Sequence, residues 1–145
     1  MADYGSEQDH ADAMLALLRA ESSLTVYPAA TGGPSTVPNG ALPPYVSVHF
    51  VSEHLDNNNL TTLSTRTRTR AYAHCVGAND IAARAMTAKV RDAWLDVVPV
   101  IAGRSVYPIR HEQTREAQPT EPIAPTTVTI TVVYRLEDQP GRQGS

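Results

Sequence analysis

The stretch STRTRTRAYAHCVG, residues 64–77, alternates threonine with arginine at Arg66, Arg68 and Arg70. Side chains of a β-strand point alternately to the two faces of a sheet, whereas those of an α-helix repeat about every 3.6 residues. The period of two therefore predicts a long strand over 64–76 with two different faces. One face carries the three arginines and Tyr72, and the other carries a series of small side chains.

The small-residue face adds a second constraint. Ala71, Ala73 and Cys75 leave room for a helix to pack close to the strand, so we expect the arginines on the sheet face away from the helices. That arginine face has three possible interpretations. It is a row of basic side chains that binds nucleic acid, a solvated surface that pairs with cross-strand carboxylates such as Glu53, or a contact with a neighbouring subunit. The second and third are favoured over the first.

The charge of the whole chain disfavours a dedicated nucleic-acid binder. Its 12 Lys and Arg residues are outnumbered by 15 Asp and Glu residues, which gives a formal net charge of −3. Proteins that bind duplex DNA draw most of their affinity from neutralising phosphates, and they usually carry an overall basic balance or a dense basic face. Any basic surface of this chain is therefore expected to be local.

Hydrophobic periodicity and turn residues predict six further elements. We expect a helix over 8–20, strands over 24–27, 45–54, 104–112 and 126–136, and a second helix from residue 80 towards Pro99. Pro108 places the 104–112 strand at a sheet edge or at a bulge, and proline and glycine predict loops over 28–44 and 113–125. This order predicts an α+β fold, with a mostly antiparallel sheet of four to five strands and two helices packed on one face.

The second helix has the clearest helical pattern in the chain. Asn79 is a suitable N-cap, and Asp80 follows in the first turn, where a negative charge is favourable. Its apolar stripe is expected at Ala82, Met86, Val90, Ala93 and Val97, flanked by Ile81, Ala85 and Trp94.

A length of 145 residues suits one domain, which we predict over residues 1–137. The ending EDQPGRQGS offers no apolar anchor, so residues 138–145 are expected to form a flexible tail. The acidic N-terminus differs from a secretory signal, and no apolar run approaches the ~20 residues of a membrane span. We therefore expect the protein to fold in a cytoplasm.

The sequence offers no assembled catalytic or metal-binding constellation. Cys75 is the single cysteine, which excludes an intrachain disulfide and a multi-cysteine zinc site, and its place on the small-residue face predicts a buried thiol. The five histidines lack metal-ligand spacing. His111 and Glu112 form a conceivable acid–base pair, but no positioned nucleophile accompanies them. We expect no enzyme activity, no cofactor and no metal.

Several local patterns together resemble the tail terminator, or tail completion, proteins of long-tailed bacteriophages. After an N-terminal helix come VYP and LPPYVSVHF, a strand that enters a long alanine-rich helix, a GRSVY strand and a final TITVVYRL strand. The two short motifs that most resemble this family are PPYV at 43–46 and VYRL at 133–136. The resemblance extends over residues 8–136.

The resemblance implies a structural virion protein located at the head–tail junction and assembled in the host cytoplasm. Such proteins form a homohexameric ring that caps the tail tube, ends its polymerisation and joins the tail to the head connector. The implied partners are other copies of the chain, the major tail tube protein and a head-completion or connector protein. Genomic DNA is expected to pass through the ring without sequence-specific binding.

A ring also bears on the arginine face. A channel lined with arginines would grip DNA in transit, so a subunit or tube interface is the preferred role for Arg66, Arg68, Arg70 and Tyr72. Two alternatives remain open: a head-closure or connector-adaptor protein of the same neck, and a small nucleic-acid-binding protein that uses the arginine strand.

Overall fold

A computed structural model describes residues 7–21, 23–28, 44–55, 66–119 and 127–140 of the chain. Two helices and seven strands are present in these residues. Their bounds are α1 (Glu7–Arg19), β1 (Val26–Pro28), β2 (Tyr45–Leu55), β3 (Arg66–Gly77), α2 (Asp80–Trp94), β4 (Arg104–Val106), β5 (Arg110–Thr114), β6 (Gln118–Pro119) and β7 (Val128–Pro140). Neither described helix is long and apolar enough to cross a membrane.

All seven strands belong to one mixed sheet with the order β1-β2-β3-β7, and every pairing except the parallel β1–β2 pair is antiparallel. The three short strands β4, β5 and β6 lie end to end along the free edge of β7, because they pair with its end, middle and beginning respectively. They form one interrupted edge strand. This confirms the α+β fold with a mostly antiparallel sheet, although the strand count exceeds the predicted four to five.

The interruptions of that edge strand have local causes. Pro108 lies between β4 and β5 and has no backbone N–H to donate to a ladder. A register shift between His111 and Gln113 then adds a bulge. The predicted 104–112 strand is consequently two strands, and part of the predicted 113–125 loop is β-structure. The 28–44 loop and residues 120–126 lie largely outside the described residues.

One face of the sheet carries the core, as the two-faced strand predicts. Ala71, Ala73 and Cys75 are fully buried, as are Thr67 and Thr69 on the same face. The helices pack on this face and supply its other half, with Met14 and Leu18 from α1 and Met86, Val90 and Trp94 from α2. The Trp94 indole Nε1–H donates to the Met14 carbonyl oxygen at 3.0 Å, which ties the two helices together.

Helix α2 begins as predicted and buries Met86 and Val90 of the predicted stripe, but its other buried positions are Ala83 and Trp94. The Asn79 side chain accepts a hydrogen bond from the Ala82 N–H at 2.9 Å, which confirms the N-cap. The buried positions are Ala83, Met86, Val90 and Trp94, whereas Ile81 is 79% exposed and Ala85 is also exposed. The helix ends at Trp94, before Pro99, and Asp96 adopts a positive φ of 64°.

Glycine is required where β3 passes into α2. A Cβ atom on Gly77 would lie 2.4 Å from the backbone nitrogen of Ala83 and 2.8 Å from the carbonyl carbon of Ala82. The first turn of α2 therefore approaches the strand backbone more closely than any other residue type permits. This close approach seats the helix on the small-residue face.

The ordered domain extends past its predicted boundary. Strand β7 continues through Pro140, and Asp138 is fully buried. The prediction that 138–145 form a flexible tail is therefore wrong for residues 138–140, because Asp138 has buried partners that compensate for the missing apolar anchor. Residues 141–145 lie outside the described residues.

Candidate interaction surface

The sheet face away from the helices, called here the outer face, carries Arg68 and Arg70 in the centre of β3. Arg68 donates from Nε to a Glu137 carboxylate oxygen at 2.8 Å and from a terminal nitrogen to Glu53 at 3.2 Å. Arg70 donates from Nε to Glu112 at 2.8 Å and from a terminal nitrogen to the same oxygen of Glu53 at 2.8 Å. Each of these two guanidinium groups therefore bridges two carboxylates.

Two further arginines complete this outer-face network. The Arg66 guanidinium lies 3.6 Å from Glu137, and Arg135 lies 3.8 Å from Glu112 and 4.0 Å from Glu137. The network thus comprises four arginines and three glutamates: Arg66, Arg68, Arg70, Arg135, Glu53, Glu112 and Glu137. Its charges nearly cancel, so the arginine row is compensated within the chain.

Strand register explains why these side chains meet. Glu53, Arg68 and Glu137 occupy one cross-strand row, so a positive charge lies between two negative charges. In the next row Arg70 lies opposite Arg135, a like-charge pair that would repel. Glu112 lies at the β5 bulge and contacts both arginines. The bulge therefore supplies the carboxylate that this row requires.

The network also holds its charges firmly. The hydrogen bond that Arg68 donates to Glu137 raises the pKa of Arg68, and the one that Arg70 donates to Glu112 raises the pKa of Arg70. Both arginine side chains are 28% exposed, between two glutamates that are about one-fifth exposed and a third, Glu53, that is 43% exposed. A phosphate group could contact only the remaining terminal nitrogen of either guanidinium unless it displaced a carboxylate.

Aromatic and imidazole rings continue the outer face towards Gly77. Tyr72 stacks on His49 with ring centroids 4.7 Å apart and planes 4° apart. His49 Nδ1 and His74 Nε2 are 3.1 Å apart, and His74 Nδ1 lies 2.9 Å from the Thr131 hydroxyl. Burial lowers the pKa of both histidines, and the neighbouring His49 and Arg115 lower that of His74 further. The pair is neutral at neutral pH and forms one continuous hydrogen-bonded row.

The residues singled out from the sequence are therefore placed as follows. Arg66, Arg68, Arg70 and Tyr72 share the outer face, and the predicted cross-strand partner Glu53 contacts two of the arginines. Cys75 is buried on the helix side, where desolvation raises its pKa to about 12. His111 and Glu112 do not form an acid–base pair, because His111 contacts Thr114 and Tyr134 while Glu112 binds Arg70.

A second charged group was missed by sequence reasoning. His10, Arg104 and Asp138, called here the buried cluster, lie on the helix side of the sheet. His10 Nε2 hydrogen-bonds one Asp138 carboxylate oxygen, and Arg104 donates to the other at 2.8 Å from Nε and 2.6 Å from a terminal nitrogen. The side chains are 0–2% exposed. No local pattern indicates it, since His10 and Asp138 are 128 positions apart.

In the described part of the chain, no group of three or more His, Cys, Asp or Glu side chains is arranged to hold a metal ion. The outer face presents balanced charge, stacked rings and hydrogen bonds. Among the described residues neither helix covers it. Its geometry suits contact with another macromolecular surface.

Comparison with solved structures shows what this fold is similar to. It aligns with a chain from the virion of a native gene transfer agent (GTA) particle at a TM-score of 0.67 and 20% sequence identity, covering 92% of this chain and 99% of the other. A second solved structure aligns at a TM-score of 0.56 and 12% identity, covering 95% and 99%. No protein-family model matches the chain, and no curated protein sequence matches it.

Proposed function

We propose that the protein is a structural component of a phage-like virion and has no enzymatic role. More specifically, it is a tail terminator: a homohexameric ring that caps the tail tube, ends tube polymerisation and joins the tail to the head connector. The supporting observation is the near end-to-end alignment with a chain of the GTA virion, in which 99% of that chain and 92% of this one share the fold. The alignment leaves little of either chain for a separate domain.

In this proposal the outer face is an assembly interface. Arg66, Arg68, Arg70 and Tyr72 contact either the next subunit of the ring or the tail tube. A charge-balanced surface suits such a contact, because its arginines are already oriented by Glu53, Glu112 and Glu137 and lose little conformational freedom on binding. Partner carboxylates and carbonyl groups then add to a network that is in place before contact.

The same compensation supports passage of DNA without sequence-specific binding. Affinity for phosphate depends on cations that are free to release counterions. Arg68 and Arg70 each have two carboxylates within 3.2 Å, so they offer little of that driving force. This observation disfavours the small nucleic-acid-binding protein. A head-closure or connector-adaptor protein of the neck is the second candidate, because it would be a ring-forming virion protein of similar size.

The test is the solution mass of the protein, measured by light scattering over a range of concentrations, alone and with the major tail tube protein of the same particle. The terminator proposal expects a species of six times the 15.7 kDa of one chain, alone or on the end of tubes, and tubes that stop growing when it is added. A ring that binds connector protein and leaves tube growth unchanged would favour the adaptor. A monomer that binds DNA and ignores tubes would contradict both.

A further inference from the structure

A groove of about 430 Å³ lies on the helix side of the molecule, between α2 and strands β5 and β7. Its helix wall includes Arg84, Ala88 and Arg91, which lie at positions i, i+4 and i+7 and therefore share one stripe of the helix. The sheet wall includes His111 and Tyr134. The groove is on the opposite side of the sheet from the outer-face network.

The arginines of this groove differ from those of the outer face in their partners. Within the described residues, no ion pair involves the Arg84 side chain, and Arg91 is paired only with Asp92 at 3.4 Å. Both members of that pair are more than half exposed, so the contact is weak. Arg84 and Arg91 are therefore more available to an external anion than Arg68 and Arg70, each of which bridges two carboxylates.

The floor of the groove is apolar. Leu95 and Val132 line it together with the ring of Tyr134, which is 2% exposed and packs edge-on against Trp94. Burial raises the pKa of the Tyr134 hydroxyl, as expected for a poorly solvated site. Two arginines of the helix wall therefore lie beside an apolar floor, a combination that free phosphate or a nucleic-acid backbone would use only in part.

We propose that this groove binds an acidic peptide segment of a partner protein, in which carboxylates flank aliphatic side chains. The carboxylates pair with Arg84 and Arg91, whose guanidinium groups can each bind two oxygens, and an aliphatic side chain occupies the floor. Seven helical residues separate the two arginines by about 10 Å. In an extended peptide, carboxylates two residues apart share one face at a spacing of about 7 Å, and the long arginine side chains can close the difference. The inference stands on the groove itself and does not depend on the hexameric ring.

The experiment is an amide NMR titration of the full chain with the blocked peptide acetyl-GLELELG-amide, whose two glutamates share one face when it is extended. The proposal expects shifts concentrated in α2 and β5, and affinity at least about tenfold higher than for the uncharged analogue acetyl-GLQLQLG-amide, because charge-assisted hydrogen bonds are lost in the analogue. The double variant Arg84→Gln/Arg91→Gln should lose the same factor. Arg19→Gln, which removes an exposed arginine from the last turn of α1, outside the groove and the outer face, is the matched control and should bind as the unmodified chain does.

Three results would overturn the proposal. If the peptide causes no amide chemical-shift changes along the groove, the groove is not its binding site. Tighter binding of a ten-nucleotide oligothymidylate at the same amides assigns the groove to nucleic acid. Self-association that the Arg84→Gln/Arg91→Gln variant abolishes assigns it to a second copy of this chain. In each case thermal melting of both variants checks that the fold is retained.

Discussion

The buried cluster and the outer-face network use the same chemistry in opposite surroundings. In the buried cluster, one carboxylate of Asp138 holds His10 and Arg104, and the side chains are 0–2% exposed. In the outer-face network, three carboxylates share four arginines at a half-open surface. An unpaired charge is costly in the buried cluster, because water cannot reach it there. An unpaired charge in the outer-face network is tolerated, because water can solvate it. The buried cluster is therefore expected to contribute more to the stability of the fold than the outer-face network does.

The two clusters also differ in what they connect. The buried cluster joins α1 to β4 and to the end of β7, three elements that are far apart in the sequence. The outer-face network joins strands that the sheet ladder already holds together. Loss of the buried cluster should loosen α1 and the edge of the sheet, and loss of the outer-face network should leave the backbone in place.

The largest predicted effect is that of Asp138→Ala. The substitution leaves His10 and Arg104 buried without their shared carboxylate, and breaking a buried ion pair in this way costs about 3–5 kcal/mol. Urea denaturation followed by circular dichroism measures the free energy of unfolding. A loss of less than about 1 kcal/mol would equal the effect of breaking a surface ion pair, and it would contradict the contrast between the two clusters.

The matched variant Glu137→Ala changes the adjacent residue of the same strand, which points to the other face. We expect it to lower the free energy of unfolding by at most about 1 kcal/mol, because Arg66, Arg68 and Arg135 can turn to water or to the remaining glutamates. The same denaturation experiment applies. A loss as large as that of Asp138→Ala would mean that the outer-face network is a part of the core.

Salt should change the destabilisation caused by the two variants differently, and this difference should be smaller than the effects above. Charges at a surface are screened over about 10 Å at 0.1 M salt and about 3 Å at 1 M, and buried charges are screened much less. The destabilisation caused by Glu137→Ala should therefore shrink as salt is raised, while that of Asp138→Ala stays nearly constant. Equal salt dependence of the two variants would contradict the assignment of one cluster to the interior.

The smallest effect concerns the histidine pair of the outer face. Burial lowers the pKa of His49 and His74, so the unfolded chain takes up protons at a higher pH than the folded chain does. Their contribution to stability is present above the ordinary histidine pKa of about 6.5 and is lost as the pH falls below it. The variant His49→Gln/His74→Gln should lose less stability between about pH 7 and 5 than the unmodified chain. Parallel pH profiles would contradict this.

The sequence predicted the elements whose pattern is local. Alternation gave the two faces of β3 and β7, Asn79 marked the start of α2, and Glu53 was named as a cross-strand partner. The misses are long-range. No local sequence pattern indicates the contact between His10 and Asp138. The polar end of β7 was predicted to be a flexible tail because its partners come from distant parts of the sequence. The β5 bulge that brings Glu112 to Arg70 depends on strand register, which composition does not encode.

The exposed arginines of α2, which form only one weak ion pair in the described residues, show the same limit. In the sequence, Arg84 and Arg91 have the pattern of ordinary exposed helix residues, whereas the arginines of β3 form a conspicuous alternating pattern. Strand pairing compensates the conspicuous arginines with glutamates and leaves the inconspicuous ones beside an apolar groove. Availability of charge is therefore a property of the assembled sheet.

The central claim is that the outer face makes the assembly contact, and its most direct test is the mass distribution of the triple variant Arg66→Gln/Arg68→Gln/Arg70→Gln beside the unmodified chain. Light scattering in the presence of tail tubes should find a hexamer for the unmodified chain and a monomer or unbound ring for the variant, with thermal melting showing both folded. An intact hexamer that still stops tube growth in the triple variant would contradict the claim.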